Sequence, residues 1–271
     1  MLIIPEIQAR QSLTWLAADA PPMCICRGAY RGQGYLDLIQ GQITEKLSSY
    51  DVDKNSANIS RHYELWKDGA EVCSIGYKTA DRQKIAYYSQ PILRTLPAVL
   101  VVSRDKAALF SGLQVISLKK LLQRGDIVLG RSHGRSYGGP LDKIFNQYGT
   151  KKNIFNYEGD GISRNFFEML ALNRIDAIVC QPSELIYLTK RLGLSGQFLT
   201  FDIEENRGTV EANSVYVICS KTDWGKRVIS RVDKLVADPQ IKLHFHYAYE
   251  YWLNSKYLEL YSGNAAKTYA H

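Results

Sequence analysis

An arginine placed just after an apolar run is the side chain of this sequence best suited to hold a charged group. An apolar strand is predicted to end at Gly76, the turn Thr79-Ala80-Asp81-Arg82 follows, and residues 85–91 lead into a second apolar run. A guanidinium is a planar fork of N–H donors that can bind both oxygens of one carboxylate. The spacing alone also fits an exposed arginine at a turn, so both interpretations of Arg82 stay open here.

A second polar segment, residues 131–139, combines glycines and serines just before a helix predicted to start at Pro140. Free backbone N–H groups and the helix dipole attract anionic oxygens at such a place. Ser132, Ser136 and neighbouring amides are therefore candidates to bind part of an anion, and His133 is a further candidate donor. The alternative is a flexible turn with a serine N-cap. The order of glycines, lysine and serine or threonine that defines a phosphate-binding loop is absent.

Strands and helices alternate along the chain around these two segments. The early pattern predicts strands over 12–17, 50–52 and 69–75 and helices over 35–47 and 62–68. After Pro91, strands are predicted over 99–102, 126–130, 175–179 and 216–219, and amphipathic segments over 224–236 and 247–260. This alternation is typical of doubly wound α/β units with largely parallel sheets.

Several short motifs occur in an order that resembles a known family. They are Pro21-Pro22 after the first strand, Gly34-Tyr35-Leu36-Asp37-Leu38, the turn from Thr79 to Arg82, Arg174-Ile175-Asp176-Ala177, and the late strand from Val215 to Lys221. The order is similar to that of family 3 extracellular solute-binding proteins, the substrate-binding type of amino-acid ABC transporters. The resemblance implies a two-lobed type II periplasmic binding protein fold, with each lobe a doubly wound, mostly parallel sheet flanked by helices. It further implies that residues 1–93 and 212–271 form a discontinuous first lobe, that residues 94–211 form the second lobe, and that a ligand cleft lies between them.

The first lobe is expected to supply the main anchor for a ligand. Open α/β sheets collect ligands at the carboxyl ends of their strands. The resemblance implies that Arg82 binds the carboxylate of the ligand, with Tyr77, Thr79 and Asp19 beside it. Ile75 and Tyr77 stand where the family has smaller contacts, which predicts a bulkier pocket wall.

The second lobe is expected to complete the site with Ser132, His133 and Ser136. In amino-acid-binding members, the loop after the Arg-Ile-Asp-Ala strand supplies an acid for the ammonium group of the ligand, whereas this chain has Gln181 there. An uncharged amide returns less Coulomb energy to a buried ammonium group. Glu184 is the candidate substitute, or else an exposed residue at a helix start. The departure weakens the case for an ordinary α-amino acid.

The resemblance implies binding of a small polar, carboxylate-bearing, amino-acid-like solute, without catalysis and without a cofactor. We expect a monomer that binds a small molecule and delivers it to an inner-membrane ABC transporter permease or a receptor. One alternative is an enzyme on the same scaffold, for which cyclohexadienyl dehydratases are the precedent, with Glu184 or His133 as general acid. Another is the sensor portion of a signalling receptor.

Charge and hydropathy limit the remaining function classes. The net charge of +7 is spread along the chain rather than massed in one block, so nucleic-acid binding is not expected. No apolar run approaches the roughly 18 residues of a transmembrane helix. The resemblance implies a periplasmic protein whose signal peptide is absent from this numbering.

The chain has five cysteines. Cys24 and Cys26 are too close together for an ordinary zinc knuckle, so no metal site is predicted. For an exported chain, the inferred fold implies a disulfide from either Cys24 or Cys26 to Cys73. Five small buried thiols are the alternative.

Overall fold

The computed structural model describes residues 10–158, 161–207 and 213–266. Its strands are β1 (Gln11–Ala17), β2 (Tyr50–Ser56), β3 (Val72–Tyr77), β4 (Ala86–Tyr88), β5 (Leu93–Arg94), β6 (Val99–Ser103), β7 (Val115–Ile116), β8 (Leu129–Ser132), β9 (Ile154–Tyr157), β10 (Ala177–Cys180), β11 (Phe198–Ile203) and β12 (Ser214–Ser220). Its helices are α1 (Tyr35–Lys46), α2 (Ile59–Lys67), α3 (Ala80–Ile85), α4 (Leu118–Arg124), α5 (Gly139–Tyr148), α6 (Ile162–Ala171), α7 (Pro182–Arg191), α8 (Asp223–Val236), α9 (Pro239–Glu250) and α10 (Ser255–Ala266).

The strands form two sheets, one in each of two lobes. The sheet of the first lobe has the order β2-β1-β3-β12-β4, with β5 also paired to β12, and the sheet of the second lobe has the order β7-β11-β6-β10-β8-β9. In the first sheet β12 runs antiparallel to its neighbours, and in the second sheet β6 does so. The other strands of each sheet share one direction, so the predicted mostly parallel α/β architecture is confirmed.

The chain crosses between the lobes twice, and the two crossings lie side by side. It leaves the first sheet after β5 and returns to it at β12. The backbone N–H of Thr95 donates to the carbonyl oxygen of Asn213 at 2.9 Å, and that of Leu96 donates to the Tyr249 hydroxyl at 3.1 Å. The first hydrogen bond joins the two crossings to each other, and the second joins the outgoing crossing to α9 of the first lobe. Residue 211, where the second crossing was expected, lies outside the described residues.

Each lobe has its own apolar core. In the first lobe, the inner face of β1 packs against α1, α8 and α9, with Trp15, Ile39, Val228 and Phe245 almost fully buried. In the second lobe, β6 is buried on both faces, since alternate residues of this strand enter two different clusters. A strand covered on both faces has a continuous apolar sequence, and β6 contains the sequence Val-Leu-Val-Val.

One disulfide joins Cys73 and Cys219, and the predicted pairing of Cys73 with Cys24 or Cys26 was wrong. The returning strand β12 inserts beside β3 in antiparallel register and brings Cys219 directly opposite Cys73. Cys24, Cys26 and Cys180 are free thiols. The sequence did not indicate this pairing because the two partners are 146 residues apart.

The segment 247–260, predicted as one amphipathic stretch, is divided between α9 and α10. Asn254 accepts a hydrogen bond from the backbone N–H of Tyr257 at 3.1 Å, which caps the start of a new helix. No helix in the described ranges is long and apolar enough to cross a membrane.

Candidate functional site

Arg82 is held at the carboxyl end of β3 by a local capping motif. The hydroxyl of Thr79 accepts a hydrogen bond from the backbone N–H of Arg82 at 3.2 Å, so Thr79 is the N-cap of α3. The short helix turns the Arg82 side chain back over the strand, where Nη1 donates to the carbonyl oxygen of Tyr77 at 3.0 Å. Arg82 is only 6% exposed, so the alternative of an exposed turn arginine was wrong.

The guanidinium of Arg82 has neutral partners. Its Nε donates to the Tyr63 hydroxyl at 3.0 Å, and its Nη2 donates to the carbonyl oxygen of Gly134 in the second lobe at 3.3 Å. Within the described part of the chain, none of its hydrogen-bond partners is a carboxylate and it takes part in no ion pair. A guanidinium has five N–H donors, so these contacts leave one N–H on each terminal nitrogen for a further acceptor.

A cavity of about 110 Å³ lies next to Arg82, between the two lobes. We call it the interlobe cavity. The first lobe contributes most of its wall, including Ile75 and Tyr77, and the second lobe contributes Arg135 and Ser136. Ile75 and Tyr77, for which the sequence predicted a bulkier pocket wall, both line this cavity. Among its described lining residues, the charged side chains are those of Arg82 and Arg135.

Two titratable side chains of the wall are neutral near pH 7. Burial, together with the nearby charge of Arg82, lowers the pKa of His62 to about 4, although its Nε2 hydrogen-bonds the Ala57 carbonyl oxygen. Burial raises the pKa of Tyr77 to about 12. The Tyr77 hydroxyl shares a hydrogen bond of 2.9 Å with Thr95 Oγ1. The net charge of this part of the cavity therefore comes from guanidinium groups.

Arg135 and Glu184 form a buried ion pair inside the second lobe. Nη1 and Nη2 of Arg135 donate to the two carboxylate oxygens of Glu184 at 2.8 and 2.6 Å. Burial alone would lower the pKa of Arg135 and raise that of Glu184, but mutual attraction outweighs burial and shifts both pKa values the other way. Glu184 is thus a buried partner of Arg135, and the alternative of an exposed helix-start residue was wrong.

The serines of the 131–139 segment lie at different places. The Ser136 hydroxyl borders the interlobe cavity and donates to Asp142 Oδ2 at 2.5 Å. Ser132 is fully buried, and its Oγ has no hydrogen-bond partner in the described structure. Ser132 is among the residues around a larger, more polar opening of about 350 Å³, which we call the polar cleft.

The polar cleft adjoins the interlobe cavity and contains two more of the predicted residues. Asp19 borders it from the first lobe, with Oδ1 accepting from the backbone N–H of Cys26 at 2.9 Å. His133 borders it from the second lobe, with Nδ1 lying 3.2 Å from Glu158 Oε1 and the side chain 58% exposed. The structure therefore separates Asp19, Ser132 and His133 from the wall that carries Arg82.

Gln181 and Thr79 do not border either opening in the described structure. Gln181 is the N-cap of α7 and is 3% exposed, and its Oε1 is buried without a hydrogen-bond partner in the described structure. The described residues contain no group of three or more His, Cys, Asp or Glu side chains that could hold a metal ion.

Solved structures match this chain over about nine tenths of its length. An ancestral arginine-binding protein bound to arginine has a TM-score of 0.66 and 16% identity, covering 91% of this chain and 100% of its own. A structure from work on glutathione import via GshT and the cystine ABC importer TcyBC of Streptococcus mutans has a TM-score of 0.67 and 16% identity, covering 92% and 95%. A histidine kinase sensor domain with similarity to periplasmic binding proteins has a TM-score of 0.67 and 13% identity, covering 90% and 96%.

The chain has the periplasmic binding protein fold. No protein-family model and no curated protein sequence matches the chain, and at these identities the structural likeness establishes the fold alone. Open α/β sheets collect ligands at the carboxyl ends of their strands. The interlobe cavity and the polar cleft both lie between the lobes.

The sequence did not indicate Arg135 as a candidate site residue of this periplasmic binding protein fold. Arg135 borders both openings and is paired to an acid 49 positions away. The only local signal was a second arginine in the Gly-rich segment after β8, and a loop arginine is usually exposed. Its importance follows from the packing of two separate βα units against each other.

Proposed function

We propose that this chain binds a small carboxylate-bearing solute of amino-acid size between its lobes and delivers it to a membrane transporter or a receptor. The observation that carries the proposal is the buried guanidinium of Arg82, which borders the interlobe cavity and has no carboxylate partner among the described residues. A buried charge without a counter-charge is costly. A carboxylate from a ligand would supply that counter-charge and use the remaining donors.

The solved structures support the same function. One is described as bound to arginine, and another is described in terms of import by a cystine ABC importer. The histidine kinase sensor domain supports the receptor alternative only weakly. Delivery to an ABC transporter permease by a monomeric protein is therefore the form of the proposal that we favour.

In this proposal the predicted residues have different tasks. Arg82 binds the carboxylate, and Tyr77 forms part of the wall beside it. Thr79 positions Arg82 through the helix cap, and the backbone N–H of Gln181, at the start of the helix that carries Glu184, donates to Glu184 Oε2.

The remaining predicted residues act from further away. Ser136 faces the same cavity as Arg82, whereas Asp19, Ser132 and His133 contact only a ligand that extends into the polar cleft.

We further propose lobe boundaries at the crossings, with residues 1–93 and 212–271 in the first lobe and 94–211 in the second. The strand assignments support this division, since β5 and β12 belong to one sheet and the strands between them belong to the other. The Cys73–Cys219 disulfide supports a location outside the cytoplasm, because disulfides persist mainly in oxidising compartments. In a Gram-negative cell, the proposed location is the periplasm.

Catalysis on this scaffold is less well supported. A general acid must carry a transferable proton. Both carboxylate oxygens of Glu184 accept hydrogen bonds from Arg135, and the pKa of Glu184 is lowered by Arg135 despite its burial. His133 lies at the exposed edge of the polar cleft. Incubation with prephenate or arogenate should leave both compounds intact.

The proposal is tested by identifying what the protein carries. The purified chain is denatured, and the released small molecules are identified by mass spectrometry. Isothermal titration calorimetry of the stripped protein against those compounds and a panel of carboxylates then gives affinities. We expect at least one small carboxylate to bind in the micromolar range or tighter, about −8 kcal/mol. The absence of binding by every carboxylate tested would contradict the proposal.

A further inference from the structure

Among the described residues of the second lobe, the acid paired with Arg135 is Glu184, and its charge is already neutralised. Glu184 has side-chain exposure of 2%, and Arg135 holds both of its carboxylate oxygens. The backbone N–H of Gln181 also points to one of these oxygens, at 3.4 Å. Glu184 is therefore not available to pair with a positive group on a ligand.

The charges that face the interlobe cavity are positive. Arg82 borders it from the first lobe and Arg135 from the second, and no aspartate or glutamate is among its described lining residues. Asp19 and Glu158 border the adjoining polar cleft and not the interlobe cavity. The α-ammonium group of an amino acid is attached to the carbon next to the carboxylate. If Arg82 holds the carboxylate, that ammonium group lies in the cavity, near a guanidinium and without an acid partner among the described lining residues.

The rest of the wall is largely apolar. It includes Leu16, Leu36, Ile59, Trp66, Ile75 and Val215. A buried water needs roughly 10–15 Å³ of space, so the cavity of about 110 Å³ has room for a molecule of several heavy atoms. Such a wall stabilises a short hydrocarbon chain by removing it from water, and it offers little to a second charged group.

We propose that the ligand is a short, apolar monocarboxylate without an α-ammonium group, such as a branched or aromatic 2-oxo acid, rather than an α-amino acid. The inference rests on the proposed function, because it assigns the carboxylate to Arg82. The Arg135 guanidinium already lies beside Glu184 and takes the position that the ammonium group of a ligand would need to pair with this acid. Desolvating an unpaired ammonium group beside a like charge is unfavourable.

The test compares acids that differ at one carbon. Calorimetric titrations at pH 7 use the stripped wild-type protein with four pairs: alanine and pyruvate, valine and 3-methyl-2-oxobutanoate, leucine and 4-methyl-2-oxopentanoate, phenylalanine and phenylpyruvate. We expect at least one 2-oxo acid to bind at least tenfold more tightly than its amino acid. An amino acid that binds as tightly as its 2-oxo acid or more tightly overturns the inference and leaves the proposed function standing. No binding by any member overturns the inference, and with a wider carboxylate panel also negative, the proposed function fails as well.

Variants at the ion pair give a second readout. Arg135→Met frees Glu184, so the preference should shift towards the amino acid by at least tenfold. The double variant Arg135→Met with Glu184→Gln removes both charges and keeps the comparison available if the single variant does not fold. In the double variant the preference for the 2-oxo acid should weaken without reversing.

The matched control is Arg131→Met. Arg131 lies in the same segment, donates to Asn146 Oδ1, and borders neither opening in the described structure. Its replacement should leave the preference unchanged. If Arg131→Met shifts the preference as much as the Arg135 variants do, the effect is one of general charge and the assignment to Arg135 is wrong.

Discussion

The Nη2 atom of Arg82 in the first lobe lies 3.3 Å from the carbonyl oxygen of Gly134 in the second lobe, and donates a hydrogen bond to it. Gly134 also approaches Ile59 of the first lobe, since a Cβ added at Gly134 would lie 3.3 Å from Ile59 Cγ2. The proposed carboxylate anchor is therefore one of the groups that hold the lobes together. Ligand binding and lobe closure are coupled when the same contacts serve both.

Gly134→Ala should weaken ligand binding through the lobe contact. Gly134 has a φ of +69°, so alanine is strained there in any state. In the closed state the new methyl group also crowds Ile59, and overpacking costs about 1 kcal/mol or more, which is about a fivefold loss of affinity. Calorimetry with the tightest carboxylate of the panel measures this loss, and small-angle X-ray scattering should show a more open average shape.

Gly112→Ala is the matched control for that variant. Gly112 has a φ of +75°, and a Cβ there would meet nothing within 4 Å. The two variants should lose similar stability through backbone strain, about 1 kcal/mol, but only Gly134→Ala should lose affinity. Equal affinities of the two variants for the ligand would mean that the contact at Gly134 does not contribute to closure of the lobes.

Arg82→Ala should reduce the affinity for a carboxylate more than tenfold. A charged, two-point hydrogen bond is lost, and no other unpaired cation of the first lobe borders the interlobe cavity in the described structure. Arg82→Lys should retain part of the affinity, because it keeps the charge but not the planar fork. Calorimetry provides the affinities, and thermal unfolding checks that each variant is folded.

Arg61→Ala serves as the control for Arg82. Arg61 lies on the exposed side of α2, where it pairs with Glu64 at 2.8 Å. Its removal should change neither the affinity nor, by more than about 0.5 kcal/mol, the stability. Unchanged affinity of the Arg82→Ala variant would remove Arg82 from the site.

The turn that carries Arg82 could be predicted from the sequence because it depends on neighbouring residues. Thr79 caps the helix, and Tyr77 supplies the carbonyl oxygen that orients the guanidinium. These contacts lie within six consecutive positions, so the Thr-x-x-Arg spacing indicated the turn, but the spacing alone left open whether the guanidinium is buried or exposed. The alternation of strands and helices was predictable for the same reason, since each element has its own apolar period.

The contacts that could not be predicted join distant parts of the chain. Arg135 pairs with Glu184 across 49 positions, and Cys73 pairs with Cys219 across 146. Both depend on which strands become neighbours, and in the first sheet the inserted neighbour is an antiparallel strand that returns from the second lobe. The two-residue strands β5 and β7 were missed because they are too short to show an alternation.

His62 should make the protein less stable in acid. Because its pKa in the folded state, about 4, lies below the ordinary value of 6.5, the unfolded state binds more protons between these values. The free energy of unfolding should therefore fall as the pH falls from about 6.5 to about 4, by about 3 kcal/mol from this group. Denaturant unfolding at a series of pH values measures the fall.

His62→Gln should remove that part of the pH dependence. His133→Gln is the control, since the His133 side chain is 58% exposed. The stability curve of the control should follow that of the wild type, whereas the curve of His62→Gln should be flatter below pH 6.5. Parallel curves for wild type and His62→Gln would show that His62 does not titrate as a buried group.

The Cys73–Cys219 disulfide should contribute directly to stability and leave a fixed number of thiols. Thiol titration of the denatured, unreduced protein should find the three free cysteines Cys24, Cys26 and Cys180. The double variant Cys73→Ala with Cys219→Ala should lose about 2–5 kcal/mol, because the bond closes a long loop in the unfolded chain. Reductant should lower the stability of the wild type by a similar amount and leave the double variant unchanged, since that variant has no bond to reduce. Five titratable thiols in protein secreted from an oxidising compartment would contradict the disulfide, as would an equal response of the wild type and the double variant to reductant. Either result would also remove the main support for a location outside the cytoplasm.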